Sequence, residues 1–195
     1  MNRHDRIALA AAALLLLVPM GSAWAQGNAP IAVSKMFETV KTGQWIRLEG
    51  TLQKDQSVLC SKIKIPTASI PDSNWSIRGA LRSVDATKRQ LTIGRYHIRL
   101  VENPKFTSPM STLKGLSDLH AGMVVKVEGT YGKDGSFVAR KVNDESAQNA
   151  QKAEGELQIL LVGKIERLNP AKRTIAVMGT TFIAGDNTKV TSLAK

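Results

Sequence analysis

Gly43-Gln-Trp-Ile-Arg-Leu-Glu-Gly-Thr51 returns 79 positions later as Gly122-Met-Val-Val-Lys-Val-Glu-Gly-Thr130. The match runs on through Lys54-Asp55 and Lys133-Asp134, Ser57 and Ser136, and Lys62 and Lys141. Eight of the 21 positions from Gly43 to Ile63 are identical at this one offset. Most of the others keep their apolar or polar character. Self-similarity at a fixed offset marks a repeated structural unit.

A second and sparser match sets Arg78–Phe106 against Val162–Val190. Gly79 meets Gly163, Lys88-Arg89 meets Lys172-Arg173, and Asn103 meets Asn187. The apolar positions Leu81, Leu91, Ile93, Ile98 and Phe106 fall on Ile165, Ile175, Val177, Phe182 and Val190. One whole unit therefore occupies the middle of the chain, over 75–143. Its second half recurs near the beginning and its first half near the end. Thr107-Ser108 and Thr191-Ser192 stand at the same register beside the join. The two outer halves, 34–65 and 156–192, are expected to make one circularly permuted domain, which is easy where termini lie close together. The stretches 66–74 and 144–155 read as linkers.

The central unit predicts five strands and a short helix. Ile77–Val84 is the first strand, followed by a turn at Asp85–Lys88. Gln90–Ile93 and Tyr96–Val101 alternate apolar with polar residues around Gly94-Arg95, as a hairpin does. Met110–His120 spaces Leu113, Leu116 and Leu119 helically, and Gly122 ends the segment. Phe37 and Val40 repeat that spacing in the N-terminal half-copy. Met123–Tyr131 and Ser136–Val142 flank Gly132-Lys-Asp-Gly135, a strong hairpin turn. The order β-β-β-α-β-β in roughly 70 residues is that of an OB-fold barrel, and closure removes exposed edges. The expected fold is mainly β, with two small five-stranded OB-like barrels, one contiguous and one circularly permuted; an open meander is the alternative.

The first 25 residues have the parts of a secretory signal. Arg3 and Arg6 precede an apolar run from Ile7 to Val18, Pro19 and Gly21 break it, and Ala23-Trp24-Ala25 offers small residues for cleavage near Ala25. The run is shorter than the ~20 residues that span a bilayer, so the rest is expected to be soluble and periplasmic or secreted. A retained membrane anchor is the other reading. Formal net charge is +11, which suits anionic partners or simply a soluble surface, and charge alone does not choose between them. The single cysteine, Cys60, permits no internal disulfide and aligns with Ala139 as a small core residue. Beyond the signal only His97 and His120 remain. There is no metal-ligand spacing, phosphate loop, nucleophile elbow or carboxylate pair. No catalytic residue, metal or cofactor is expected, and the protein is read as not an enzyme.

Gly79 with its alternating hairpin, Leu119-His-Ala-Gly-Met-Val-Val-Lys-Val-Glu-Gly-Thr130, Asp134-Gly135 and Val138-Ala-Arg-Lys-Val142 together resemble a family of secreted bacterial domains of unknown function. That resemblance implies small β-barrels, often in tandem, and transfers no site residue. It covers Arg78–Val142 and only part of the flanking halves. The chain departs from the pattern at Gln56, where the turn glycine is missing, so a looser N-terminal hairpin is expected.

Alternation places Tyr96, Ile98 and Leu100 inward and Arg95, His97 and Arg99 outward. With Arg78 and Arg82 on the neighbouring strand these form a candidate basic wall, where OB-folds bind extended polymers. A plain solvated face is the alternative. Against it, the counterparts of Arg82, His97 and Arg99 are Glu166, Thr181 and Ile183, so the fold does not require a basic wall. The leading expectation is an exported, non-enzymatic binding module for an anionic polymer or cell-envelope component. Candidate partners are an anionic polysaccharide, lipid head groups or an acidic envelope protein. Nucleic acid is disfavoured, because the wall lacks interleaved stacking aromatics. Trp45 and Trp75 are expected to pack between the barrels; an exposed aromatic on a sugar-binding surface is the alternative. The alternative is a structural or assembly protein, forming a swapped dimer or head-to-tail oligomer; oligomeric state stays open.

Overall fold

The computed structural model describes residues 30–67, 70–109, 112–149 and 158–193. The signal-like segment 1–25 lies outside them, as do residues 150–155 of the second stretch read as a linker. The chain is mainly β. In order it forms β1 (Pro30–Ile31), α1 (Val33–Thr39), β2 (Trp45–Leu52), β3 (Val58–Pro66), β4 (Trp75–Asp85), β5 (Gln90–Ile93), β6 (Tyr96–Thr107), β7 (Val124–Tyr131), β8 (Phe137–Asp144), α2 (Ser146–Asn149), β9 (Gln158–Lys164), β10 (Arg167–Asn169), β11 (Thr174–Val177) and β12 (Thr180–Leu193). A single 3-10 turn at Leu116–Asp118 precedes β7.

Strands β4 to β8 close a five-stranded barrel. β4 pairs with β5, β5 with β6, β6 with β8 in parallel, β8 with β7, and β7 returns to β4. This order is compatible with the OB-like arrangement. Inward alternation fills the barrel with Leu91, Ile93, Ile98, Leu100, Val125, Val127, Phe137, Ala139 and Val142.

The flanking segments repeat the ladders one for one. β10 pairs with β11, β11 with β12, β12 with β3 in parallel, β3 with β2, and β2 with β9. Only Ile165 and Glu166 separate β9 from β10. Backbone bonds across that break match the central barrel: Gly43 N donates to Ile165 O at 2.8 Å, as Gly122 N does to Leu81 O at 2.8 Å.

Both units bend at equivalent places, and this explains the identities between them. A register shift falls between Glu49 and Gly50 and again between Glu128 and Gly129. Bulges of this kind press the neighbouring strand close. A Cβ on Gly50 would lie 2.3 Å from Leu59 O, and one on Gly129 2.0 Å from Val138 O. The glycine of each Glu-Gly-Thr is therefore a packing requirement.

β4 and β9 join the units, pairing Ser76 with Val162, Ile77 with Leu161 and Arg78 with Leu160. Leu161 is Ile77's own counterpart in the repeat, so the ladder crosses an internal pseudo-two-fold axis. One continuous core runs through this seam.

Several expectations change. The helix expected over Met110–His120 is only the 3-10 turn within the described residues; Met110 and Ser111 lie outside them. The Asp118 carboxylate instead takes the backbone N–H groups of Lys114 and Gly115, at 2.8 and 2.9 Å. The N-terminal copy does form a helix, α1, burying Met36 and Phe37. β6 runs past Val101 to Thr107. Pro104 fits because the β6–β8 register breaks between Leu100 and Lys105, where no ladder donor is needed. β4 begins at Trp75, two residues before the expected start at Ile77. The first stretch read as a linker, of which residues 68–69 lie outside the described residues, is tethered: Asp72 pairs with Lys164 at 2.7 Å, and Arg140 donates to Asn74 Oδ1 at 2.6 Å.

The hairpin at Gln56 is not looser. Gln56 takes the left-handed conformation at φ +66, as Gly135 does at +80. Gln56 N donates to Gln53 O at 3.1 Å where Gly135 N donates to Gly132 O at 3.0 Å. The turn is held by its Asp and Ser residues, and Gln56 bears the conformational cost.

Candidate functional site

The β5–β6 hairpin turns at Gly94, whose φ is +55. This aims Arg95 out of the turn and sets His97 and Arg99 on the outer face of β6, all three exposed. Their ladder neighbours are neutral: Thr92 opposes His97, and Gln90 opposes Arg99. Thr92 Oγ1 lies 3.5 Å from His97 Nδ1. Between these residues and the far unit lies an open hollow of about 410 Å³, lined also by Tyr131, Asp134, Gly135 and Gly179.

A second hollow of about 550 Å³ adjoins it, sharing Tyr131, Asp134, Gly135 and Gly179 and adding Trp75, Lys133 and Glu166. Together they make a trough along the seam. Its walls are the β5–β6 hairpin, the β7–β8 hairpin and the β11–β12 tip.

The tip is held firmly. Tyr96, buried at the start of β6, has its hydroxyl 2.6 Å from Thr180 Oγ1 and donates to Met178 O at 3.2 Å. Burial raises the Tyr96 phenol above its ordinary pKa, so it stays a neutral donor. Arg95 Nη1 donates to Gly179 O at 3.3 Å, and Glu166 Oε2 accepts from Gly179 N at 3.0 Å. Thr180 is the repeat counterpart of Tyr96, so these contacts too straddle the pseudo-two-fold axis.

The aromatics form a stack behind the trough. Trp45 and Trp75 have centroids 5.0 Å apart, and Trp75 and Tyr131 5.4 Å apart. Gly163 makes room, since a Cβ there would lie 2.6 Å from Trp75. Lys164 Nζ sits 5.7 Å from the Trp45 ring centroid, a cation–π distance. Burial, and secondarily the charge of Glu166, raises the pKa of Tyr131.

The five residues of the expected basic wall separate. Arg95, His97 and Arg99 share the first hollow. Arg82 does not line it: a register shift in β4 between Leu81 and Ser83 leaves Arg82 and Ser83 both exposed. Arg78 is elsewhere. Its side chain, 11% exposed, pairs with Glu49 at 2.6 Å and with Glu145 at 3.6 Å, tying the two units together. Arg78 thus belongs to the seam, because the β4–β9 ladder covers that end of the strand. Among the described residues Arg82, Arg95 and Arg99 enter no ion pair.

Sequence reasoning missed Tyr131, Asp134 and Gly179. Alternation within one strand reports its face, not what stands opposite it across a seam. The usable signal was the repeat itself, in which Tyr131 replaces Leu52 and Gly179 replaces Arg95.

Cys60 packs in the core beside Gly50, its Sγ 3.5 Å from the carbonyl oxygens of Glu49 and Lys62. Burial pushes its thiol up to about 12, so a thiolate is disfavoured. Among the described residues no group of three His, Cys, Asp or Glu side chains is placed to hold a metal ion. No helix there is long and apolar enough to cross a membrane.

No curated protein and no solved structure matches the chain. Residues 78–143, which are the central barrel from β4 into β8, match the family model described as Domain of unknown function (DUF5666).

Proposed function

We propose that this chain is an exported, non-enzymatic binding module that takes an acidic segment of a polymer or envelope component in the trough. The observation that carries this reading is the placement of Arg95, His97 and Arg99 along one hollow, with no ion pair to either arginine among the described residues. A guanidinium fork suits carboxylate or phosphate oxygens, two at a time. The hollow also falls within the size range of ligand sites. At the repeat-equivalent positions stand Gly179, Thr181 and Ile183, so the strands do not need these charges to fold.

In this reading the chain is two OB-like barrels, one of them permuted, with the seam as the recognition surface. The trough lies against a closed wall, and the flanking unit contributes its β11–β12 tip. Retention on an anionic matrix tests it. Reversing Arg95 and Arg99 to Glu should abolish retention at moderate salt; unchanged retention overturns the proposal.

One observation favours assembly as a second reading. The flanking unit draws β2–β3 and β9–β12 from opposite ends of the described chain. A neighbouring molecule could supply the same ladders and form a swapped dimer or a head-to-tail oligomer. Light scattering across a concentration series decides: a monomer throughout removes this alternative.

A further inference from the structure

We propose that the ligand of the trough is an acidic saccharide, with one sugar ring against Tyr131 and its acidic group on Arg95 and Arg99. This deepens the functional reading above and rests on it.

The first argument is the state of Tyr131. Its ring packs on Trp75 at 5.4 Å on the seam side and lines both hollows on the other. A buried tyrosine hydroxyl finds a protein partner, whereas one open to solvent is left free for a ligand. That of Tyr96 has two, whereas Tyr131's has none among the described residues. A sugar hydroxyl would satisfy it.

The second argument is the mixture of charges. Asp134 lines both hollows and Glu166 the second. Asp134 uses Oδ1 for Ser136, and Glu166 uses Oε2 for Gly179. Each keeps a carboxylate oxygen without a hydrogen bond among the described residues. Two carboxylates would repel a ligand that has nothing but anionic groups to offer. They suit one that carries an acidic group at one point and hydroxyl donors at the next.

The third argument is access. Gly135 and Gly179, at φ +80 and +70, lie beneath the Tyr131 hydroxyl, and a Cβ on either would stand 3.7 or 3.9 Å from that oxygen. Their repeat counterparts are Gln56 and Arg95, whose side chains would crowd this approach. Lipid is disfavoured: among the described residues the large exposed apolar side chain is Leu59, alone on β3, with no apolar patch for an acyl chain.

Calorimetric titration of the purified protein with oligogalacturonate, polyphosphate and a poly-glutamate peptide tests the inference. Oligogalacturonate should bind most tightly. Tyr131→Phe should weaken it about three- to tenfold, the worth of one hydrogen bond, and Tyr131→Ala further, with polyphosphate binding unchanged. Tyr131→Phe keeps the ring packing and so guards against a folding defect. If either competitor binds better than oligogalacturonate, or Tyr131→Phe leaves its affinity unchanged, the saccharide assignment falls and the anion site stands. If Arg95→Glu with Arg99→Glu changes no titration, or nothing binds, both readings fall.

Discussion

The β7–β8 hairpin and the β2–β3 hairpin are held by the same contacts, although they belong to different units. Ser136 N donates to Asp134 Oδ1 at 3.1 Å, and Ser57 N donates to Asp55 Oδ1 at 3.0 Å. Leu100 N reaches Arg89 O at 2.9 Å, and Ala184 N reaches Arg173 O at 2.9 Å; Arg89 and Arg173 both take positive φ. The outer faces differ. Arg95, His97 and Arg99 line a trough on the central barrel, while Gly179, Thr181 and Ile183 hold those positions in the flanking set. Turns, bulges and close strand approaches constrain both copies alike; a solvent-facing wall is free to diverge.

The most severe way to break the comparison is to fill the shared bulges. Gly129→Ala and Gly50→Ala should each destabilise by about 3 kcal/mol, since each added methyl meets a backbone carbonyl that cannot move aside. Urea midpoints measure this, and a mild effect at one site alone would show that the two bulges are not equivalent.

The cores sharpen it next. In the central barrel Ile98 neighbours Phe137 across the β6–β8 ladder, and in the flanking set Phe182 neighbours Val58. The aromatic ring has changed strand while the pair stays large-plus-medium. Phe137→Val should cost about 2 kcal/mol through the cavity it leaves. Adding Ile98→Phe should recover more than half of that, a coupling visible in a double-mutant cycle.

Gln56 offers a smaller effect of opposite sign. Gln56→Gly should stabilise by about 1 kcal/mol, because glycine adopts φ +66 without the side-chain clash. Gly135→Gln should lose a similar amount. A destabilising Gln56→Gly would mean that the side chain holds the turn.

The smallest effect is with pH. Hydrogen bonds from Ser57 and Ser136 hold the Asp55 and Asp134 carboxyls below their ordinary value of 3.8. Their folded values are depressed, so their contribution is present above that value and is lost as pH falls through the folded one. The stability gap between wild type and Asp134→Asn should therefore shrink from pH 6 to pH 3. A widening gap would contradict the assignment.

Much of this architecture was legible because the repeat fixed the strands twice. Gln90–Ile93 is a strand as read, and Tyr96, Ile98 and Leu100 all point inward. Met110–His120 misled because leucine spacing cannot register a side-chain carboxylate competing for backbone N–H groups. The candidate site was half visible. Alternation finds Arg95, His97 and Arg99 on one face, but only the β4–β9 ladder removes Arg78 from them and brings Tyr131 and Gly179 alongside.

The measurement that bears most directly on the account is a paired charge reversal, with polyanion affinity read at two salt concentrations. One variant carries Arg95→Glu and Arg99→Glu in the trough. The other carries Lys62→Glu and Lys189→Glu on the flanking set, for the same change in net charge. The account predicts that the first loses binding and the second keeps most of it. Equal losses would show that overall positive charge, not the trough, attracts the ligand.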